Sequence, residues 1–281
     1  MHFLRANLCL ILSDHVFLVH SNILAEGSVF SQTTLSKGGV PTPPAGARCP
    51  QWRHLLAMIV STGRKYIFVH IPKTGGTALS LALEARAMKD DILIGDTRKA
   101  RARKGRQRGV QTTGRLWKHS TLADIDGLLP PESMAAMFTL TLVRNPWDRA
   151  VSYYHWLRGQ SFAHPAVGLA KAVSFSEFLN HPQTQVSFRL WPASAYMRDV
   201  SGQENCTLYL RLEHLDQDIA PFEAHLGFRL TSLPRVNASN RRTDWRGYYS
   251  DADADLLAQN CAEDIARFGY GFDDRAKGGT D

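Results

Sequence analysis

The chain predicts an α/β fold built on a parallel sheet flanked by helices, and three observations carry that expectation. Short runs of β-branched and aromatic residues alternate with helical patterns. The first such run, Tyr66 to Ile71, ends in Pro-Lys-Thr-Gly-Gly-Thr and passes straight into a segment rich in Ala and Leu. A second run, "AMFTLTLVRN", ends in Asn145-Pro146, a pair suited to opening a helix.

Taken in chain order, residues 66–71 form a buried strand bounded by Pro72. Residues 77–88 form a helix with Leu79, Ala82, Leu83 and Ala87 near one face. A short strand at 91–94 and a basic loop over 95–116 follow. A short helix begins at Thr121, where Asp124 three residues on resembles a capping box. The second buried strand ends near Val143, and the helix after it has Asn145 as N-cap, Pro146 in first position and Asp148 in its first turn. Residues 174–180 form a short helix, "CTLYLRLEHL" a further strand, and 214–226 a helix. "SDADADLLAQNCAEDIARF" closes the fold as one capped helix, acidic at its start and with Arg267 near its end.

The first 57 residues carry no core pattern. "FLRANLCLILSDHVFLVHSNIL" is interrupted by Arg5, Asn7, Asp14, His15 and His20, so it falls short of the ~18–20 apolar residues of a membrane span. Charges inside its apolar region also fit a signal peptide poorly. A Ser/Gly/Pro-rich stretch leads from there to Met58. The domain is therefore expected over 58–275. Residues 1–57 are then a flexible arm or an extension ahead of a true start at Met58, and 276–281 a flexible tail.

Lys and Arg total 33 against 26 acidic residues, a net of +7. "RKARARKGRQR" at 98–108 holds seven basic residues and no acid, equal to the whole excess. The rest is balanced, which argues against a nucleic-acid-binding surface. The run itself could attract an acidic acceptor or be a solvated, disordered loop. The four cysteines form no C-x-x-C, so a zinc site or disulfide framework is not expected, and a reducing, cytoplasmic setting is the simplest expectation.

Two motifs carry chemistry. Glycines in a strand–loop–helix turn permit close backbone approach, and free amides at a helix N-terminus make an anion site. In Pro72-Lys73-Thr74-Gly75-Gly76-Thr77, the amides of 74–77 can cradle a phosphate, the hydroxyls of Thr74 and Thr77 add contacts, and Lys73 supplies charge. The same Lys-Gly-Gly-Thr recurs in the tail without a strand before it or a helix after it, and there it has no such meaning. A nucleotide kinase would show G-x-x-x-x-G-K-[ST], which is absent here. In "LVRNPWDRAVSYYHW", Arg144 sits at the carboxyl end of a strand, where open α/β sheets bind ligands. Its planar fork could grip a second phosphate while Ser152, two turns into the next helix, donates a hydrogen bond. A structural turn, a surface arginine and a packing serine are the bland alternatives.

Together these motifs resemble the PAPS-dependent sulfotransferases, in the branch containing heparan sulfate 2-O-sulfotransferases and bacterial family 2 sulfotransferases. "FVHIPKTGGTAL" resembles that family's 5′-phosphosulfate loop and "LVRNPWDRAVSYYH" its 3′-phosphate element. "RLEHLDQDI", "VNASNRRTDWRGYYS" and "DIARFGYGF" are similar to its later segments, more loosely. The resemblance spans about 66–272. It implies a single P-loop-like α/β domain that binds 3′-phosphoadenosine 5′-phosphosulfate (PAPS), with no metal. Lys73 would contact the oxygen that bridges sulfur to the 5′-phosphate, and Asn240, Arg241 and Arg242 would cover the nucleotide.

An acceptor hydroxyl must lose its proton, so a base is required. Of 11 histidines, His119 matches the position of the catalytic histidine in the 2-O-sulfotransferase branch. The alternative is a histidine that packs or caps near a helix start. His155 is a weaker rival, and His70, on the strand, is expected to be structural. The expected activity is transfer of a sulfuryl group from PAPS to a hydroxyl, most simply on a carbohydrate. The alternatives are a phosphotransferase needing Mg²⁺ and ATP, or a non-catalytic nucleotide- or glycan-binding protein.

Overall fold

In the computed structural model, which describes residues 57–230, 242 and 244–274, five strands form one mixed sheet. They are β1 (Ala57–Ser61), β2 (Tyr66–Val69), β3 (Ile92–Gly95), β4 (Phe138–Val143) and β5 (Leu208–Arg211), in spatial order β3-β1-β2-β4-β5. β2, β4 and β5 pair in parallel, as expected, whereas β1 runs antiparallel to both β2 and β3. The α/β sheet flanked by helices is as expected, with the antiparallel β1–β3 pair at one edge. β1 is a fully buried run, "AMIVS", at the start of the expected domain, to which the sequence reading assigns no element.

The helices are α1 (Gly76–Ala85), α2 (Arg98–Arg103), α3 (Pro131–Ala135), α4 (Pro146–Arg158), α5 (Pro165–Ala172), α6 (Phe175–Asn180), α7 (Pro182–Leu190), α8 (Ala193–Tyr196), α9 (Leu215–Asp218), α10 (Ala220–Leu226), α11 (Asp251–Asn260) and α12 (Ala262–Phe268). Alternate residues of β2 face opposite ways. Tyr66 and Phe68 pack with Leu79 and Leu83 of α1 and with Phe222 of α10. Ile67 and Val69 join Trp147, Ala150, Val151 and Tyr154 of α4. Helices on both faces leave all four residues of β2 buried. None of the described helices is long and apolar enough to cross a membrane.

Several elements differ from expectation for identifiable reasons. Thr121 and Asp124 do exchange capping-box hydrogen bonds (2.8 and 3.1 Å), yet only turns follow. The amides of Leu122 and Ala123, which the first turn of a helix would leave open, bond to the carbonyls of Tyr196 and Arg198 and tie the segment to α8 and its end. The 214–226 segment is two helices, with Pro221 in the first turn of the second, and the closing helix breaks at Cys261. The run of charge at 98–108 is not a disordered loop. It forms α2 and a 3₁₀ turn, and Thr97 caps α2 by accepting from the Ala100 amide at 2.9 Å. Lys99 Nζ donates to the Glu84 carbonyl (2.5 Å), Arg103 to those of Met88 (2.8 Å) and Asp91 (3.2 Å), and Arg106 to that of Lys89. The expected arm before Ala57, the tail at 276–281, and Asn240 and Arg241 lie outside the described residues.

The boundary at Met58 acquires a physical cost. The Ala57 amide donates to Ser80 Oγ (3.1 Å), and that hydroxyl donates back to the Ala57 carbonyl (2.9 Å). Both Ser80 and Met58 are fully buried. A chain begun at Met58 would orphan the Ser80 hydroxyl and place a charged α-amino group in the core. The orphaned hydroxyl alone costs roughly 1–3 kcal/mol. Such a chain should therefore melt several degrees below the full chain, and equal melting temperatures would show that β1 tolerates its loss.

Candidate active site

β2 and β4 pair in register from Tyr66↔Phe138 to Val69↔Thr141, so their carboxyl ends lie side by side. The loop after β2 and the turn after β4 are thereby neighbours, which brings the two phosphate motifs together. Within the loop, Lys73 holds φ of 67° and Gly75 φ of 84°. A left-handed lysine is costly, on the order of 1–2 kcal/mol, and needs support from its surroundings. Three hydrogen bonds supply it. Ile71 O accepts from Thr74 Oγ1 (2.9 Å), Pro72 O from Arg149 Nε (3.2 Å), and Lys73 O from Arg144 Nη1 (3.1 Å). Three successive carbonyls are thus tied back, while no side chain caps the first turn of α1 behind Gly75. An anion placed there meets amides rather than carbonyl oxygens.

The glycines are required by close packing. A Cβ on Gly75 would lie 2.7 Å from Leu212, and one on Gly76 would lie 2.6–2.8 Å from the His70 ring. Thr74 is buried and its hydroxyl proton is already donated, so it shapes the loop. Thr77 is half-buried at the start of α1. Lys73 Nζ lies 5.5 Å from the centre of the Trp156 ring. Beside it, Pro72, Lys73, Arg149, Tyr153, Ser187 and Phe188 line a narrow, mostly apolar cleft.

Arg144 donates through Nε and Nη2 to Asp148 Oδ2 (2.9 and 2.6 Å) and through Nη1 to the loop. Asn145 caps α4 and is itself held from two sides. Its amide donates to Glu213 (2.8 Å), just after β5, and its side chain donates to the Gly271 carbonyl (3.1 Å). Glu213 also accepts from Tyr270 Oη at 3.2 Å. Burial raises the Glu213 pKa, against the Asn145 hydrogen bond and the Arg144 charge that lower it. The segments "RLEHL" and "FGYGF" therefore converge on the residue next to Arg144. Ser152 lies on the buried side of α4 with Arg149. Arg242, exposed, donates its amide to Tyr248 Oη at 3.3 Å.

His119 reaches the loop from the segment between the motifs. Its Nδ1 lies 2.8 Å from the His70 carbonyl oxygen and 2.9 Å from His70 Nδ1. A carbonyl only accepts, so His119 Nδ1 carries the proton and Nε2 keeps its lone pair. Burial first, then the neighbouring His70 ring and the Lys118 and Lys73 charges, hold its pKa well below the ordinary histidine value, opposed by the hydrogen bond to the His70 carbonyl. The imidazole is therefore neutral near pH 7 and basic at one nitrogen. His155 packs instead against Tyr248, with ring centres 5.1 Å apart. His70 was expected to be merely structural, and its contact with His119 across 49 residues of chain carries no local sequence signal. Arg149 was not foreseen either, although it lies one helical turn after Asn145 on a face that turns toward the loop.

The model of the sulfotransferase family matches residues 57–270. The chain belongs to the sulfotransferase family. It is an enzyme of sulfuryl transfer, and its two phosphate motifs are those whose resemblance implies PAPS as donor. Among solved structures, mouse sulfotransferase SULT7A1 complexed with PAP aligns with a TM-score of 0.39 and 15% identity, over 73% of this chain and 85% of that one. No curated protein matches. The described residues of this sulfotransferase contain no cluster of three or more His, Cys, Asp or Glu side chains suited to a metal ion.

Proposed function

We propose that this sulfotransferase moves the sulfuryl group of PAPS onto a carbohydrate hydroxyl, with His119 as general base and Lys73 at the leaving oxygen. The observation that carries the reading is the meeting of His119 with the end of β2, directly before the Lys73 loop. A base with a bare Nε2 and an ammonium beside an amide cradle serve the two ends of an in-line transfer. When bound, PAPS supplies the sulfuryl group and a stable phosphate leaving group. Lys73, Thr74, Gly75, Gly76 and Thr77 would hold its 5′ end, and Arg144 with Ser152 its 3′-phosphate. The uncapped first turn of α1 and the two cations fit such a polyanion. His119 Nε2 takes the proton of the acceptor hydroxyl, and Lys73 offsets charge on the departing oxygen.

Support for a carbohydrate comes from the two sequence motifs, which resemble the branch containing heparan sulfate 2-O-sulfotransferases. An acidic acceptor is not required, because several cations of the 98–108 segment are bonded to main-chain carbonyls. Incubation with ³⁵S-labelled PAPS and a panel of glycans, phenols and simple alcohols tests the reading. Label should enter glycans, and label confined to phenols would overturn the carbohydrate assignment.

The placement of Arg144 has its own test. Arg144→Ala should weaken PAP binding by roughly 10–100-fold, the loss expected for charge-assisted bonds to a phosphate. Adenosine 5′-phosphosulfate, which has no 3′-phosphate, should lose less. Some loss is expected for both ligands, because Arg144 also anchors the Lys73 carbonyl. Equal losses in calorimetry would mean that Arg144 acts only through the loop.

A further inference from the structure

The His70 ring is almost wholly buried, yet its Nε2 has no hydrogen-bond partner and lies against Gly76 at the start of the phosphate loop's helix. Its other nitrogen faces His119 at 2.9 Å. Because His119 Nδ1 must carry a proton for the His70 carbonyl, His70 Nδ1 is left to accept, and the His70 proton sits on Nε2. The two rings lie with centres 4.8 Å apart and planes inclined by 34°. Both tautomers are therefore set by one backbone carbonyl.

We infer that His70 is a positioning residue for sulfuryl transfer, whose Nδ1 lone pair shares the His119 Nδ1 proton and so stabilises His119 once it is protonated. The inference rests on His119 being the base. During transfer the acceptor O–H bond breaks and an N–H bond forms at His119 Nε2. The acceptor oxygen bonds to sulfur, and the bond from sulfur to the donor's 5′-phosphate breaks, its electron pair staying with the phosphate oxygen. The new imidazolium then has a neutral acceptor beside its Nδ1–H, so its charge spreads over two rings. The proton leaves to water through His119 Nε2 after the product departs.

His70 stays neutral throughout the working range. Burial first, then the Lys118 charge, push its pKa down to about 3, with a backbone hydrogen bond opposing and Lys73 adding to the fall. Lys118, paired with Asp96 at 2.9 Å, and Lys73 are the lysines whose charge acts on both rings. Trp117 closes the far side of His119 edge-on, with ring centres 5.1 Å apart. With His70 neutral, the part of it that faces His119 Nδ1 at 2.9 Å is a lone pair, and that lone pair is the part that acts.

Two substitutions separate this role from simple filling of space. His70→Asn keeps a short acceptor where Nδ1 stands, whereas His70→Gln places its amide near the Nε2 position. His70→Gln should lower kcat by about 10-fold or more and move the acid limb of the rate profile to lower pH, with PAP affinity unchanged. His70→Asn should recover most of the rate and the limb. Equal kcat in the two variants, with PAP binding intact in both, would overturn the inference. Nitrogen-15 NMR of the unmodified full chain reads the tautomers without turnover. Protons on His119 Nδ1 and His70 Nε2 are expected, and a bare His119 Nδ1 would overturn the pairing. Retained turnover in His119→Ala would instead remove the base assignment beneath it, whatever the tautomers show.

Discussion

His119→Ala is expected to lower turnover by roughly 10²–10⁴-fold, the range for removal of a general base, while PAP binding is retained. The separation follows from position, since the loop carbonyls are held by Thr74, Arg149 and Arg144 and not by the His119 ring. The pH profile adds a sign. A base works when neutral, so the rate rises with pH through its pKa and is flat above it. In the donor-free chain that pKa is depressed, first by burial and then by nearby positive charge. The neutral form therefore persists below the ordinary value near ~6.5. From the sequence alone, donor phosphates would be expected to raise the value above that point. The structure makes burial the leading influence, so the phosphates raise a value that starts low. The kinetic limb at saturating donor should thus lie above the NMR titration point of donor-free His119. His155→Ala should keep the limb. Near-full activity in His119→Ala with the limb unmoved would make His119 structural.

Lys73→Ala should depress kcat by on the order of 10²–10³, with a smaller loss of PAP affinity. Lys73 is the loop's left-handed residue, and alanine keeps the Cβ, so the substitution removes the ammonium without relieving the backbone strain. Three carbonyl anchors keep the loop in place, and the amides that would hold the 5′ end of the donor remain. The loss therefore falls on charge developing at the leaving oxygen rather than on binding. Comparing single-turnover rates with PAP dissociation constants checks this. Undiminished turnover in a folded variant would sink the role given to Lys73.

The parts of the fold legible in the sequence were those fixed by neighbours along the chain. Tyr66–Val69, the Gly75-Gly76 turn and the Asn145-Pro146 start announce themselves through local propensity and capping. β1 did not, although it pairs with β2 across a four-residue turn, because a five-residue apolar run reads equally as a stray segment and its other pairing, with β3, is non-local. The capping-box bonds at Thr121 are present, but only turns follow them. The same limit applies to the site. The two loop motifs could be read from sequence, whereas the contact of His70 with His119 arises only when β2 and the 117–120 segment fold together.

The basic segment at 98–108 has a consequence for the opposite end of α1. The peptide units of that helix align into a macrodipole, positive at Gly76 and negative beyond Ala85. Lys99 bonds the Glu84 carbonyl, Arg64 that of Arg86 at 2.8 Å, and Arg103 that of Met88. Cations therefore neutralise the negative pole, each worth about 0.3–1 kcal/mol where exposed. With that pole compensated, the positive pole at the phosphate loop faces an incoming polyanion with less of its field cancelled by its own tail. The excess charge of the chain thus favours anion binding from one helix length away, through the polarity of the backbone.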